Sequence, residues 1–462
     1  MPIKPSGRKK QTLTSKKHLL AKMLDYVKKS VSIVQRRTFL IILSLIQSII
    51  VARTLGPEGF GIAIMIMLIP GYMEKFGRLG LGSAATYMIS SGKLKVEDTA
   101  KILMFFSLSV GFLPLLLLPV YYQHFLSYFL DNKNVAMLTV AFLLLSMPGV
   151  FINNYFSNVM ISYEDVKSVN SIAVISKVIN FAVTVSLLLL TDLNYVAVFA
   201  GSFAFNVSSA LIALHYYRKY TGTLPLPGFN KEIFKTLWGY SKKIYLSMNV
   251  AYMHSNLVTL FLAFYLSSKE VAFFCIAVAV LEKFLIIPKS LSTLMIPKVA
   301  KASDAYSSEL TARAFRNTLL ILFVFIVCVA IAAKSLVKIV YGIEYLPAVE
   351  PLQIMALGYL MMGASRLLAS YFNGRGRPEI NLYISLASLL INIILNILLI
   401  PVYGIIGASI SVLATYWLVA IIQIVIFIRF SNMRLFDVLL INRGDINGYR
   451  KLLNSYIPRF AK

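Results

Sequence analysis

Acidic residues are scarce in this chain. Its 462 residues include 19 Asp and Glu against 45 Lys and Arg, for a formal charge of +26. In a soluble domain that excess would suggest nucleic acid, but its distribution along the chain excludes that reading. Cysteine occurs only twice, at Cys275 and Cys328, inside apolar runs and without metal-ligand spacing, so both read as packing residues and no metal site is expected. Catalytic patterns are missing too. No HExxH, GxSxG, Walker A or DxD-like cluster lies in a loop, and Asp131 and Asp192 are isolated. The predicted external loops are short, whereas a membrane glycosyltransferase or polymerase needs a sizeable outer loop or domain with acidic catalytic residues. An enzyme is therefore not expected, and no cofactor is implied.

What the chain has in abundance is apolar length. It is 58% hydrophobic, 13% aromatic and only 14% charged, with mean hydropathy +0.76. Runs of about 20 apolar residues without strict alternation choose helices over a barrel, so the fold expected is an all-α polytopic membrane protein. Twelve spans are predicted, near 31–53, 61–89, 101–122, 135–160, 168–190, 194–217, 243–266, 271–299, 313–341, 348–372, 381–400 and 404–430. They divide the chain into a basic cytoplasmic or interfacial arm (1–30), an N-terminal six-helix lobe (31–217), a cytoplasmic amphipathic connector (218–242), a C-terminal six-helix lobe (243–430) and a basic tail (431–462).

The arm carries no cleavable signal: its first apolar run is too long and no small-residue site follows. Leu20, Met23, Leu24, Val27, Val31 and Val34 recur as on an amphipathic helix lying on an anionic leaflet. In the connector, LPLPG precedes Phe229, Ile233, Leu237 and Trp238, which reads as interfacial rather than spanning. With the N-terminus inside, the inner segments hold 34 Lys and Arg and the outer ones 5, so both termini are expected in the cytoplasm.

The two halves repeat. LGPEGFGI (Leu55–Ile62) superposes on LSSKEVAF (Leu266–Phe273) at an offset of 211, and Asn180 falls on Asn392 at 212. An even number of spans per copy makes this a parallel repeat, with an axis along the membrane normal and a site at the interface of the halves.

Charged residues within the spans point to that site. Glu74, Lys75 and Arg78 fall near the middle of the second span, where an ionisable group costs roughly 2.5 to 3.5 kcal/mol. Glu74 and Arg78 are four apart and pair on one face, leaving Lys75 as a surplus cation. The eighth span, the repeat partner, carries Glu282, Lys283 and Lys289, with bends expected at Pro288 and Pro297. Lys177 lies one turn from Asn180 in the fifth span, and Arg366 lies in the tenth. Six bases against two acids leave a net positive cavity that needs an anion, and lysine and arginine both bind phosphate. Lys75, Arg78, Lys177, Lys283, Lys289 and Arg366 are the candidate substrate contacts; Glu74 and Glu282 either orient them or couple a cation, proton or sodium.

Other features read more plainly. Asn392 and Asn396 are interhelical glue or cavity lining. His254 is a core histidine or a proton site, Tyr121 and Tyr122 form an interfacial belt or stack on sugars, and NGRGRP (Asn373–Pro378) is a cytoplasmic turn resembling a phosphate nest. Pro70, Pro114, Pro119 and Pro148 mark kinks.

ARTLGPEGFGIAIMI (Ala52–Ile66), after a basic arm and one span, together with FNGRGRPEINLYISLASLLINIILNILLIPVYGIIGASIS (Phe372–Ser411), resembles the polysaccharide-transport branch of the multidrug/oligosaccharidyl-lipid/polysaccharide exporter superfamily. The resemblance runs from Gln35 to Phe430. It implies two six-helix lobes, alternating access, and translocation of a polyprenyl-(di)phosphate-linked oligosaccharide across the cytoplasmic membrane for cell-surface glycan synthesis. It also implies a cationic cavity built largely from the first, second, seventh and eighth spans, which here carry Lys75, Arg78, Lys283 and Lys289. Peptidoglycan-precursor flippases resemble a fourteen-span version, which argues against lipid II as cargo. Partners implied are the lipid-linked oligosaccharide, the membrane, a coupling cation and other polysaccharide assembly proteins, with no nucleic acid. An ion-coupled drug/cation antiporter of the same fold, for which an acidic cavity would be expected, and a membrane enzyme of polysaccharide assembly are the alternatives. Reporter fusions at residues 1 and 462 are expected to read out as cytoplasmic at both ends; an external signal from either would overturn the orientation.

Overall fold

The computed structural model describes residues 8–116, 133–441 and 445. Within them the chain is helical, with no strand. The helices are α1 (Arg8–Gly77), α2 (Leu81–Ser90), α3 (Val96–Leu116), α4 (Lys133–Ser162), α5 (Val166–Leu190), α6 (Val196–Thr221), α7 (Lys231–Tyr265), α8 (Ser268–Phe284), α9 (Ile286–Lys301), α10 (Asp304–Val340), α11 (Val349–Gly374), α12 (Pro378–Ser431) and the short α13 (Leu435–Leu439). A 3-10 turn, Ile343–Ala348, leads into α11. Tyr121, Tyr122, Pro119 and Asp131 lie outside the described residues, as do the side chains of the amphipathic arm, His254 and nearly all of the tail.

Among the described residues seven helical stretches are long and apolar enough to cross a membrane, eight when the bent pair α8–α9 is taken as one. Two of them, Thr38–Ser90 and Pro378–Ser431, run 53 and 54 residues. At 1.5 Å per residue each is about 80 Å long, enough for two crossings. Both are interrupted where the second crossing begins: Gly56 (φ 65°) kinks α1 and Gly404 (φ 55°) kinks α12. With these doubled, and α4 and α7 included, the fold has about twelve spans.

Packing divides the chain differently from the repeat. One compact unit comprises Met1–Val51 and Gly80–Ser241; the other comprises Ala52–Leu79 and Lys242–Lys462. The second crossing of α1 belongs to the second unit because its entrance is tied there. Arg53 donates from Nε to the Val340 carbonyl at 2.9 Å and also reaches the Ile339 carbonyl, satisfying orphan acceptors at the end of α10. Tyr345 donates to the Ala52 carbonyl at 2.7 Å. Gly61 lies against the Ser268 backbone with no room for a Cβ, and Glu58 pairs with Lys269 at 3.2 Å. The two repeat-equivalent segments therefore touch each other inside one unit.

In the first unit α4 packs against α2, α3, α5 and α6. In the second, α11 is the hub, packed against α8, α9, α10 and α12. Asn392 and Asn396, both buried, hold the α12 hairpin: Asn392 donates to Thr415 Oγ1 at 3.2 Å, and Asn396 to the Asn392 carbonyl at 2.7 Å. They are glue, as lipid-embedded amides often are. Cys328, expected to pack, is instead exposed on α10, while Cys275 is half-buried. The connector contains no separate helix: α7 starts at Lys231 and runs on into its span, with Phe229, Phe234 and Trp238 in an aromatic chain that meets Phe105 and Phe106 of α3.

A buried ionic clamp closes the second unit. Asp445, 1% exposed, accepts from Arg316 and Arg313, each at 2.9 Å, and Arg316 also reaches the Asp437 carbonyl. Removing one partner of a buried pair strands the other charge. Asp445→Ala is therefore expected to cost about 3 kcal/mol of stability, read by thermal unfolding in detergent; an unchanged midpoint would show that the clamp carries no weight.

Candidate functional site

The second span is broken where its charges lie. The helix ends at Gly77, and Leu79 (φ 50°) and Gly80 (φ 68°) both take left-handed backbone before α2 begins. For leucine that conformation costs roughly 1 to 2 kcal/mol and is retained only where surrounding structure enforces it. Glu74 accepts from Arg78, four residues on, and from Lys75 at 3.1 Å. Lys75 is thus not left over as expected: it shares the carboxylate and lies 5.7 Å over the Tyr252 ring of α7, within cation–π range. Tyr252 also meets Tyr72 edge-on at 5.3 Å. All three charged side chains stay partly open, 24 to 33% exposed, so one carboxylate accompanies two accessible bases.

The eighth span breaks in the corresponding place. α8 and α9 meet at Leu285 with a 45° bend. The cause is Pro288, which lacks an N–H and whose ring crowds the carbonyl four residues back, that of Phe284, the last residue of α8. Pro297 stays within α9 without interrupting it. Glu282 and Lys283 occupy the last turn of α8, Lys289 the first turn of α9, and all three are exposed. Arg366 of α11 lies within electrostatic range of Glu282, Tyr359 and Tyr416, and Lys289 within range of Arg366, Glu282 and Lys283. Arg366 is half-buried, and its Nε is buried with no hydrogen-bond partner. Tyr359 and Tyr416 meet edge-on at 5.4 Å beside it.

The two breaks share a sequence mark, EKF at Glu74–Phe76 and again at Glu282–Phe284, 208 residues apart. Each break also opens onto a helix start, α2 and α9, whose first turn has no side-chain cap. With no side-chain cap, the positive end of each helix dipole favours an anion, and the adjacent lysines and arginines add full charges. Within the second unit the first break carries Lys75 and Arg78 with Glu74, and the second carries Lys283 and Lys289 with Glu282 and has Arg366 in electrostatic range.

Lys177 belongs to the first unit. Its ammonium donates to Gln47 Oε1 at 2.8 Å, and Gln47 Nε2 donates to Thr184 Oγ1 at 3.1 Å, so a neutral amide and not a carboxylate holds it. Close packing frames this strip: Gly201 leaves no room for a Cβ against Thr184 and the Asn180 backbone. The NGRGRP turn has its arginines engaged, Arg375 with Asp304 and Arg377 over the Phe430 ring at 4.7 Å, so it behaves as a turn. Among the described residues no three His, Cys, Asp or Glu converge on a metal position. Tyr252, Gln47, Tyr359 and Tyr416 join the picture only in three dimensions. Of these Gln47 had a visible sign, an amide inside the apolar run LSLIQSII, and the doubled EKF marked both breaks.

Comparison with known proteins fits this architecture. A solved lipid II flippase, MurJ in an inward closed conformation, superposes with TM-score 0.70 at 15% identity, over 86% of this chain and 89% of that one. An inward-facing multidrug resistance MATE family transporter of the MOP superfamily superposes at 0.66, also at 15% identity, over 85% and 95%. At such identities the likeness is one of fold. A provisional O-antigen transporter of Shigella flexneri is 24% identical over 380 residues, 78% of this chain and 87% of that protein. An uncharacterized membrane protein of Methanocaldococcus jannaschii is 32% identical over 112 residues, 24% of this chain, and the match spans only 22% of that protein's length. The named proteins with stated roles are transporters and flippases, not enzymes. A family model described as polysaccharide biosynthesis protein matches residues 50–350, about two thirds of the chain, and the chain belongs to that family.

Proposed function

We propose that this membrane transporter is a flippase that moves a polyprenyl-(di)phosphate-linked oligosaccharide across the cytoplasmic membrane, for cell-surface polysaccharide or glycan synthesis. The observation that carries the reading is the surplus of accessible bases at two helix breaks, each beside an uncapped helix start. A phosphate or diphosphate is the ligand such a surface stabilises, and broken helices are where transporters place their sites. The family, and the roles stated for the Shigella protein and for MurJ, support the same reading.

In this reading the repeat halves, residues 31–217 and 243–430, alternate access around the site. Lys75, Arg78, Lys177, Lys283, Lys289 and Arg366 contact substrate, while Glu74 and Glu282 orient the bases or couple a proton or sodium ion. Both termini face the cytoplasm, where the basic segments meet anionic lipid, and other polysaccharide assembly proteins supply and consume the cargo. A drug/cation antiporter is the second reading, favoured by the likeness to a multidrug transporter, but a cationic drug gains nothing from a surplus of bases.

Each lost charge-assisted contact removes about 1.5 to 3 kcal/mol, roughly tenfold or more in binding. Replacing Lys75, Arg78 and Lys283 together with alanine is expected to abolish glycan export while the protein still inserts. Export at the wild-type level would refute the site, and uptake of cationic dyes by vesicles carrying the wild-type protein would favour the antiporter.

A further inference from the structure

The first unit has a cavity of about 350 Å³ that none of the above uses, between α1 and α5, lined by Arg36, Phe39, Asn170, Ser171, Val174 and Ile175. One end is polar and basic and the other apolar. Among the described residues the Arg36 guanidinium has no hydrogen bond or carboxylate partner, and neither does the Asn170 carboxamide. Asp165, the acid nearest in sequence to Asn170, is committed elsewhere: it caps α5 by accepting from the Ser168 N–H at 3.0 Å and accepts from Tyr220. Burial opposes ionisation there, but the hydrogen bonds from Ser168 and Tyr220 and the nearby Lys219 hold the carboxyl below its ordinary range, so it stays a filled anion turned toward α6.

Beyond the polar end the two helices present exposed apolar side chains to their surroundings, Phe39, Ile42 and Ile46 on α1 and Ile175 and Val178 on α5. Farther along the same helix pair lies a second cation. Gln47 is eleven residues from Arg36, about 16 Å along the axis, and it holds Lys177. A groove with an open arginine at the headgroup end, an apolar wall along it and another base inward is complementary to an amphiphile with a phosphate at its head. A resident bilayer lipid has no use for the inward base, whereas a phosphate that must leave its leaflet does.

We propose that the α1–α5 groove is an entry site that holds the phosphate end of an isoprenoid phosphate, anchored by Arg36 and Asn170, with the chain along Phe39 and Ile175 and Lys177 as the next cation inward. The assignment rests on the flippase reading and names a site for its lipid carrier outside the two helix breaks.

The test is native mass spectrometry of the full-length protein in detergent, titrated with undecaprenyl phosphate, phosphatidylglycerol and inorganic phosphate. Wild type is expected to retain undecaprenyl phosphate at least about tenfold more tightly than phosphatidylglycerol. Arg36→Gln is expected to weaken it by about tenfold and Arg36→Lys by less. Ile175→Trp, which fills the groove without altering a charge, is expected to weaken it as well and covers the case in which the arginine variants fail to fold. Retention unchanged in both Arg36→Gln and Ile175→Trp would overturn the groove while leaving the flippase reading intact. No retention by wild type would overturn both. Phosphatidylglycerol bound equally well, or inorganic phosphate competing at the same concentration, would overturn the isoprenoid assignment.

Discussion

An ionisable side chain carried into a lipid-embedded helix has to be paired, hydrated or set where the backbone is already interrupted. The structure takes the third course twice. Glu74, Lys75 and Arg78 stand at the turn formed by Gly77, Leu79 and Gly80, and Glu282, Lys283 and Lys289 stand around Leu285. At each place the helix has surrendered some of its own hydrogen bonds, so the polar groups of backbone and side chain share one opening. One carboxylate at each break tempers the repulsion between bases without cancelling it.

Breaks of this kind need rigid support, and the second unit supplies it. α11 presses against α8, α9, α10 and α12, and Gly363 lets it approach Leu285 and Pro288 at the bend itself. Arg53 and Tyr345 tie the start of the second crossing to the end of α10, and the Asn392–Asn396–Thr415 network holds the α12 hairpin. Without aqueous exclusion to drive helix pairing in lipid, such small-residue contacts and buried amides do the work of a hydrophobic core. The strained backbone at Leu79 is tolerated inside that frame.

The first unit treats its one mid-span base differently. Lys177 is met by Gln47, which passes the contact to Thr184, so the ammonium is oriented by neutral dipoles. Arg36 of α1 lines the cavity between the same two helices. Basic groups are thus spaced along one helix pair in this unit and placed at helix breaks in the other.

Composition, hydropathy and charge order along the chain sufficed for the class of fold, the count of about twelve spans, the internal repeat and the surplus of bases within the spans. These are properties of local stretches and of sums, and lipid makes them decisive, since no segment of that apolarity can be left in water. The helix breaks were only half legible: Pro288 announced a bend, but its effect falls on Leu285, because the steric clash acts on the preceding turn, and nothing in GRLGLG by itself tells a continuous helix from two left-handed residues. Packing alone decided that Ala52–Leu79 joins the second unit, that Lys75 shares Glu74 and leans on Tyr252, and that Arg366 sits by Tyr359 and Tyr416. Those partners lie up to some 290 residues away, as Tyr345 does from Ala52, and contacts at that separation depend on how helices cross, which no periodicity within a single helix encodes.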